Sequence, residues 1–166
     1  MDWEGGNVLT MISSSIIARA MAEYGKANDF RRKSSTWYRR QLETIAVYNL
    51  QRSTYGPQFY INVGLWLLEL GDHEYPKERE CHIRTRLCSL ASESEERIRE
   101  LLNLDSEISE TERADELARL FDTYLSPVFH LSATIRGILS PENPILTASL
   151  VRASAQQLLG NAKSTG

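Results

Sequence analysis

The sequence predicts an α+β fold: an N-terminal helix, a four-stranded antiparallel meander sheet and C-terminal helices. The first observation behind this prediction is the strong β pattern of residues 36–67, which are rich in β-branched and aromatic residues. The second is that helical patterns lie on both sides of this stretch. Because the strands are grouped rather than alternating with helices, the pattern argues against a doubly wound α/β fold.

Length and composition fit one globular domain. The 166 residues carry a net charge of -3, with 42% hydrophobic and 25% charged residues. We expect a single α+β domain over residues 1–160 and a frayed tail over residues 161–166. The acidic start MDWEGG does not resemble a secretory signal, and no apolar run is long enough to span a membrane. For that reason we expect no membrane contact. Two cysteines form no disulfide framework, so we expect a cytoplasmic protein.

The N-terminal helix is predicted over residues 8–24. Its apolar residues recur every three or four positions, as on one face of a helix. This stripe consists of Leu9, Ile12, Ile16, Ala20 and Tyr24. Gly25 follows it and suits the left-handed position that commonly ends a helix.

Three consecutive strands are predicted within residues 36–67, and Gly56-Pro57 marks the turn before the third. Alternation in the third strand predicts one buried face and one opposite face. The buried face comprises Phe59, Ile61, Val63, Leu65 and Leu67. A fourth strand is predicted over residues 81–88. Sequential strands usually lie side by side, so we expect a meander.

Capping signals divide the C-terminal part of the chain into helices. Ser92 to Glu95 and Ser109 to Glu112 have the spacing of a capping box. Ser126 and Ser140 are each followed by proline, which predicts an N-cap with proline at the first helical position. The apolar residues assigned to the last two helices are Val128, Leu131, Ile135 and Leu139, then Leu146, Leu150 and Leu158.

The middle of the chain resembles a known family. A basic segment leads to an aromatic strand, and the second strand ends in Asn49-Leu50-Gln51-Arg52-Ser53. Tyr55-Gly56 follows, and the third strand begins with Phe59-Tyr60-Ile61-Asn62-Val63-Gly64. Together with the N-terminal helix, this pattern resembles the bacterial domain-of-unknown-function family 4304, most closely over residues 8–90.

The resemblance implies an α+β domain and no activity, because none is established for the family. It also implies glycine before Phe30, where this chain has Asp29. The entry into the sheet is therefore expected to differ here.

The candidate binding site is the face of the predicted sheet that points away from the core. Alternation places amides and aromatic rings on that face, and the fourth strand adds arginines. Such a face suits an anionic or peptide ligand. Alternatively, it is solvated, or the C-terminal helices cover it and its amides are hydrogen-bonded inside. The predicted binding residues are Arg39, Asn49, Gln51, Tyr60, Asn62, Trp66, Arg84 and Arg86.

Charge is distributed unevenly along the chain. Residues 26–40 carry six basic residues and one acid, whereas residues 92–122 carry eleven acids and four arginines. A basic arm beside Trp37 and Tyr38 could hold phosphates and stack on bases. The simpler interpretation is that the two segments pair within the fold or are solvated. We expect no nucleic-acid binding, because the overall charge is negative.

Metal-ligand residue types occur without the spacing of a metal site. His73, Cys81, His82 and Cys88 form neither a CxxC nor an HExxH pattern. No nucleophile elbow and no glycine-rich phosphate loop is present. We therefore predict no metal, no cofactor and no catalytic residue.

The main functional hypothesis is a non-enzymatic interaction or accessory module whose partner is another protein. One version of it is an inhibitor or immunity-type partner. The first alternative is a small-ligand or nucleic-acid binder that uses the polar sheet face and the basic arm. The second alternative is an enzyme with a site between the sheet and the helices, which should have a deep pocket with convergent titratable groups.

Overall fold

A six-stranded antiparallel sheet lies at the centre of the computed structural model, which describes residues 16–165. The strands are β1 (Arg31–Lys33), β2 (Thr36–Arg40), β3 (Thr44–Arg52), β4 (Phe59–Leu67), β5 (Ile83–Arg86) and β6 (Leu150–Val151). Their order in space is their order in the chain, so the sheet is a meander. The predicted α+β class is confirmed, but the predicted number of four strands is wrong.

The two additional strands are the short edges of the sheet. The basic segment β1 pairs with β2 as a hairpin, and β6 pairs with β5 through two residues. All three side chains of β1 are exposed, so it has no alternation of buried and polar residues. A two-residue strand is too short to show any period. The predicted fourth strand is also shorter than expected, because Cys88 already belongs to a helix.

The predicted register of the central strands is confirmed. Thr44 pairs with Leu67 and Arg52 with Phe59, so β3 and β4 are opposed along their full length. The five predicted core residues of β4 are all buried. They share one cluster with Ile17 and Met21 of helix α1.

Helix α1 covers residues 16–27, and the predicted part over residues 8–15 lies outside the described residues. The prediction that Gly25 ends this helix in a left-handed conformation is wrong. A Cβ at Gly25 would lie 2.6 Å from Tyr48 Oη and 2.8 Å from Trp37 Cδ1, so glycine permits close packing against these rings. Asp29 has the left-handed φ of 63° instead, a conformation that glycine adopts easily and aspartate tolerates.

The remaining helices follow the sheet. They are α2 (Leu87–Leu90), α3 (Glu95–Leu101), α4 (Glu110–Leu120), α5 (Ser126–Leu131), α6 (Ile135–Ile138) and α7 (Ala153–Ser164). The predicted cap at Ser109 is confirmed, since its Oγ accepts a hydrogen bond from Glu112 N at 3.1 Å. Ser92 is not a cap, because a short 3-10 turn over Ser92–Ser94 precedes α3. Within residues 16–165, no helix is both long and apolar enough to cross a membrane.

The prediction that Ser126 is an N-cap is wrong, because Ser126 lies within a continuous helical stretch and its side chain caps no N–H. One π-helical turn, Phe121–Leu125, joins α4 to α5, and Ser126 is itself helical. Pro127 lacks an N–H and would crowd a preceding carbonyl in a regular helix, and the wider π turn next to it relieves this mismatch. The Ser126 hydroxyl lies 2.9 Å from Tyr24 Oη, so it contacts another helix rather than capping its own.

The predicted helix start at Ser140 is also wrong. Ser140 Oγ accepts from Glu142 N at 3.3 Å within a turn, and the last helix begins only at Ala153. Buried Asn143 donates to Ser132 Oγ at 2.9 Å and to Gly137 O at 3.1 Å, which holds residues 140–149 in a non-helical path. Helix α7 then continues to Ser164, through most of the segment expected to be frayed.

Candidate functional site

The face of the sheet opposite the core is divided into an apolar half and a polar half. In the apolar half, Tyr38, Ile45, Val47 and Cys81 form a second buried cluster, because residues of the segment after β4 fold back over it. This half of the face is covered by the segment after β4, and not by the C-terminal helices that one alternative named. Trp66 belongs to this covered half, where its Nε1 donates to Gly71 O at 2.9 Å. It is not part of an open recognition surface.

The polar half brings together six of the eight predicted binding residues. In the ladder, Asn49 is opposite Asn62, Asn62 is opposite Arg86, and Gln51 is opposite Tyr60. Directly opposed residues in an antiparallel pair share one face, so these side chains are neighbours. Arg84 lies next along β5, opposite Gly64.

Arg39 is separated from this group, although it was predicted to belong to the site. It pairs with Ala46, a core residue, and so lies on the other face of the sheet. Its guanidinium donates to Asn28 O and to Gln41 Oε1, each at 2.8 Å, and stacks 4.6 Å from the centre of the Phe30 ring. Through these contacts, Arg39 joins β2 to the end of α1.

An amide network organises the polar half. Asn62 Nδ2 donates to Asn49 Oδ1 at 2.9 Å and to Gln51 Oε1 at 2.8 Å. Asn62 Oδ1 accepts from Arg86 Nε at 3.4 Å. Arginine can only donate, so it orients the Asn62 oxygen, and Asn62 in turn orients the other two amides. Within residues 16–165, the NH2 groups of Asn49 and Gln51 then have no acceptor.

Arg86 adds further donors to this surface. Its guanidinium lies 4.0 Å from the centre of the Tyr60 ring, a cation–π contact that fixes its plane. Only Nε has a hydrogen bond to the described part of the chain, so the two terminal nitrogens remain available. A guanidinium held flat with free terminal nitrogens can bind a carboxylate or phosphate through two parallel hydrogen bonds.

Arg84 differs from Arg86 because it already has a carboxylate partner. Arg84 Nε and Nη2 donate to the two Glu78 oxygens at 3.0 and 3.3 Å. Glu78 is only 7% exposed, and its hydrogen bonds raise the pKa of Arg84. The pair anchors the segment after β4 to the sheet and is electrically neutral.

Two adjoining hollows lie over the polar half, and together they are called the polar cleft below. The first, about 510 Å³, is bounded by β5 and residues 147–150. The second, about 570 Å³, is bounded by residues 33–36 and residues 77–79. Both are lined by Gln51, Asn62, Glu78 and Arg84, so the cleft is continuous across the sheet.

The polar cleft carries excess positive charge in a chain whose net charge is -3. Its cations are Lys33, Lys77, Arg79, Arg84 and Arg86. Among the described lining residues, Glu78 is the single carboxylate, and it is paired with Arg84. Ser149, which lines the first hollow, has a buried hydroxyl without a hydrogen-bond partner in the described residues.

The sequence did not predict that the segments over residues 77–79 and 147–150 belong to the site, whereas residues 33–36 lie in the basic arm that the first alternative joined to the polar sheet face. Each of the two unpredicted segments reaches the cleft through a tertiary contact. Thr85 Oγ1 donates to Ala148 O at 2.6 Å and ties residues 147–150 to β5, whereas Glu78 ties residues 77–79 to Arg84. Such contacts join residues that are distant in the chain, and they have no local periodicity that a sequence could display.

The basic side chains of β1 are exposed, as the solvated interpretation of the basic arm expects, and two of them also lie over aromatic rings. Arg32 stacks 4.8 Å from the centre of the Trp37 ring, and Lys33 Nζ lies 3.8 Å from that of Tyr75. The acidic helices form their own ion pairs, mainly around Arg97, which contacts Glu100, Glu112 and Glu116. Among residues 16–165, no ion pair joins the two segments, so the predicted pairing between them is wrong.

The metal-ligand residue types predicted from the sequence remain dispersed. In the part of the chain that the structure describes, no three His, Cys, Asp or Glu side chains form a group suited to a metal ion. His73 Nε2 lies 3.4 Å from Glu80 Oε2 at the surface, whereas His82 is buried against Trp66, with ring centres 4.2 Å apart.

The buried His82 should make stability depend on pH. Desolvation, with Arg152 nearby, lowers the pKa of His82 below its usual 6.5, and neutral Nδ1 accepts from Leu67 N at 2.9 Å. As the pH falls, His82 therefore takes up a proton in the unfolded chain at a higher pH than in the folded protein. We expect the free energy of unfolding to fall as pH drops below about 6.5.

Urea unfolding between about pH 7.5 and pH 5.5 measures this loss. Carboxylates whose pKa is lowered in the folded protein, such as Glu116, change the free energy of unfolding at lower pH than His82 does, because the usual pKa of a glutamate is already 4.5. His82→Gln keeps an acceptor and should flatten the dependence. An equally steep dependence in His82→Gln would contradict the assignment.

Comparison with known proteins supports the family resemblance. The family model described as Domain of unknown function (DUF4304) matches residues 21–131. The match extends from α1 through α5 and includes the amide network, Glu78, Arg84 and Arg86, but not residues 147–150. Neither the curated proteins nor the solved structures contain a match to this chain. Since the matched region is more than half of the chain, the protein belongs to the DUF4304 family of domains of unknown function.

Proposed function

We propose that the protein is a non-enzymatic interaction module that binds an anionic group of its partner in the polar cleft. The observation that carries this proposal is the orientation of the amide network. Arg86 orients Asn62, and Asn62 occupies the oxygens of Asn49 and Gln51, so their NH2 groups face no acceptor of the described chain. A surface of unpaired donors selects a ligand that supplies acceptors.

The charges of the cleft support an anionic acceptor rather than a neutral one. The contact with Tyr60 restricts Arg86 and lowers the entropy lost when it binds a carboxylate or phosphate, and its terminal nitrogens have no partner among the described residues. Lys77 and Arg79 lie along the same cleft and add long-range attraction. The rest of a net negative chain repels anions, so attraction is concentrated at this face.

The lining residues support binding rather than catalysis. Glu78 is the one carboxylate among the described lining residues, and both of its oxygens are held by Arg84. The same lining includes neither histidine nor cysteine, the usual general bases and thiol nucleophiles. A cleft that binds a carboxylate or phosphate without reacting with it suits an inhibitor, immunity-type or accessory role toward another protein.

The aromatic rings beside the cleft favour a polypeptide partner over a nucleic acid. Single-stranded nucleic acids bind by stacking bases on accessible rings. Here Tyr60 and Tyr75 are only partly exposed, and Arg86 and Lys33 already lie over their faces. A base would have to displace these cations, whereas a carboxylate can bind them in place.

The proposal is tested by following the side-chain amide NMR signals of 15N-labelled protein. Titration with an acetylated diglutamate peptide should shift the NH2 signals of Asn49 and Gln51 and the Nε–H signal of Arg86. Asn28, whose Nδ2 already donates to Tyr24 O at 2.8 Å, provides an internal control that should stay unchanged.

Two further results decide the outcome of this titration. Sodium chloride at equal ionic strength should leave the three signals in place, because general screening does not create a directed hydrogen bond. Shifts spread evenly over the exposed amides of the protein, or none at the cleft, would contradict an anion site there.

A further inference from the structure

Building on the proposed function, we propose that the ligand is an extended polypeptide segment that crosses the strands and places one carboxylate in each hollow of the polar cleft. The two hollows are joined through four shared lining residues, so one ligand can reach both. Their charge is not uniform along the cleft, and this distribution identifies the class of ligand.

Positive charge is concentrated at the two ends of the cleft. Arg86 lies in the first hollow, while Lys33, Lys77 and Arg79 line the second. Between them, Arg84 and Glu78 neutralise each other. The centre therefore favours a neutral stretch, and the ends favour negative groups.

The centre of the cleft offers neutral hydrogen-bond donors. The NH2 groups of Asn49 and Gln51, which have no acceptor among residues 16–165, suit the carbonyl oxygens of a peptide backbone, which are neutral acceptors. A nucleic-acid strand would instead place a phosphate at the neutral Arg84–Glu78 pair, where no net positive charge attracts it. The arrangement of charged ends and a neutral, donor-rich middle thus fits a peptide with two separated acidic side chains.

The size of the cleft sets the separation of those side chains. Lys33 of β1 and Arg86 of β5 are four strand positions apart. At about 4.8 Å between strands, this distance is roughly 19 Å, which an extended chain covers in about six residues at about 3.3 Å each. The expected ligand therefore carries acidic residues at the ends of a segment of about six residues.

Isothermal titration calorimetry with defined peptides tests this proposal. The probe is the blocked hexapeptide Glu-Ser-Gly-Ser-Gly-Glu, and its matched control has glutamine at one end. Linking two contacts makes the second one intramolecular, so the two-acid peptide should bind at least about tenfold more tightly. Removing the cations of the second hollow together, with Lys33→Gln, Lys77→Gln and Arg79→Gln, should abolish this advantage and bring the affinities of the two peptides to within about twofold of each other.

The outcomes separate this inference from the proposed function. Equal affinity for both peptides would overturn the two-contact ligand and leave the anion site intact. No heat and no amide shift with either peptide would overturn both proposals. Tighter binding of hexathymidylate than of the two-acid peptide would overturn the polypeptide class. Circular dichroism melts of the Lys33/Lys77/Arg79 triple variant check its folding, and all three side chains are exposed.

Discussion

Val63→Asp is expected to unfold the domain. Val63 is fully buried at the centre of β4, opposite Tyr48, in the cluster shared by the sheet and α1. A carboxylate there must either lose its hydration without a partner or take up a proton. The expected cost is roughly 5 kcal/mol, comparable with the whole stability of many small domains.

Circular dichroism during thermal unfolding measures this effect. The cooperative transition of the wild type should be lost, or shifted down by tens of degrees. Tyr55→Asp introduces the same side chain at a position that is 98% exposed, and it should melt like the wild type. A Val63→Asp variant with an unchanged melting curve would disprove the register of β4.

The central sheet could be predicted from the sequence because its apolar residues recur with a local period of two. Residues such as Phe59, Ile61 and Val63 alternate with Tyr60 and Asn62, and one register alone buries the whole apolar set. The capping signal at Ser109 is equally local, since its bond partner lies three residues away. Both predictions therefore survive without any knowledge of tertiary contacts.

Ser126 and Gly25 show why other predictions failed. Each is a residue type that commonly marks a helix boundary, but each is used here for a contact between elements. Ser126 contacts Tyr24, and Gly25 leaves space for Trp37 and Tyr48. A local signal cannot distinguish these two uses.

The candidate site was predicted in part. Six of its residues follow from strand alternation. Arg39 was placed on the wrong face, because alternation within β2 does not show which of its residues share a face with those of β3. That depends on the register between the two strands. Alternation correctly places Trp66 on the face opposite the core. Trp66 is nevertheless covered, because the segment after β4 folds back over this end of the sheet. The cations from that segment, Lys77 and Arg79, have no periodic signal.

Arg86→Glu is expected to abolish anion binding. The change removes the guanidinium that lies on Tyr60, and it replaces the donor to Asn62 Oδ1 with an acceptor. Asn62 then loses the partner that fixes its orientation. The orientation of the Asn49 and Gln51 NH2 groups depends on Asn62, so it is lost as well. Direct repulsion and the reversed network together should weaken binding at least about 100-fold.

Arg86 is exposed, so its replacement should not unfold the protein. The matched control is Arg119→Glu, which changes the net charge equally at an exposed position on α4 that lines neither hollow. A loss of binding caused only by the overall charge would be the same in both variants.

Calorimetric titration of the two-acid hexapeptide into wild type, Arg86→Glu and Arg119→Glu at one ionic strength is the most direct test of the polar cleft. Site-specific recognition predicts that wild type and Arg119→Glu bind with affinities within about threefold of each other, while Arg86→Glu shows no binding. Equal binding by all three proteins, or equal loss in both variants, would contradict the assignment of the site to the cleft.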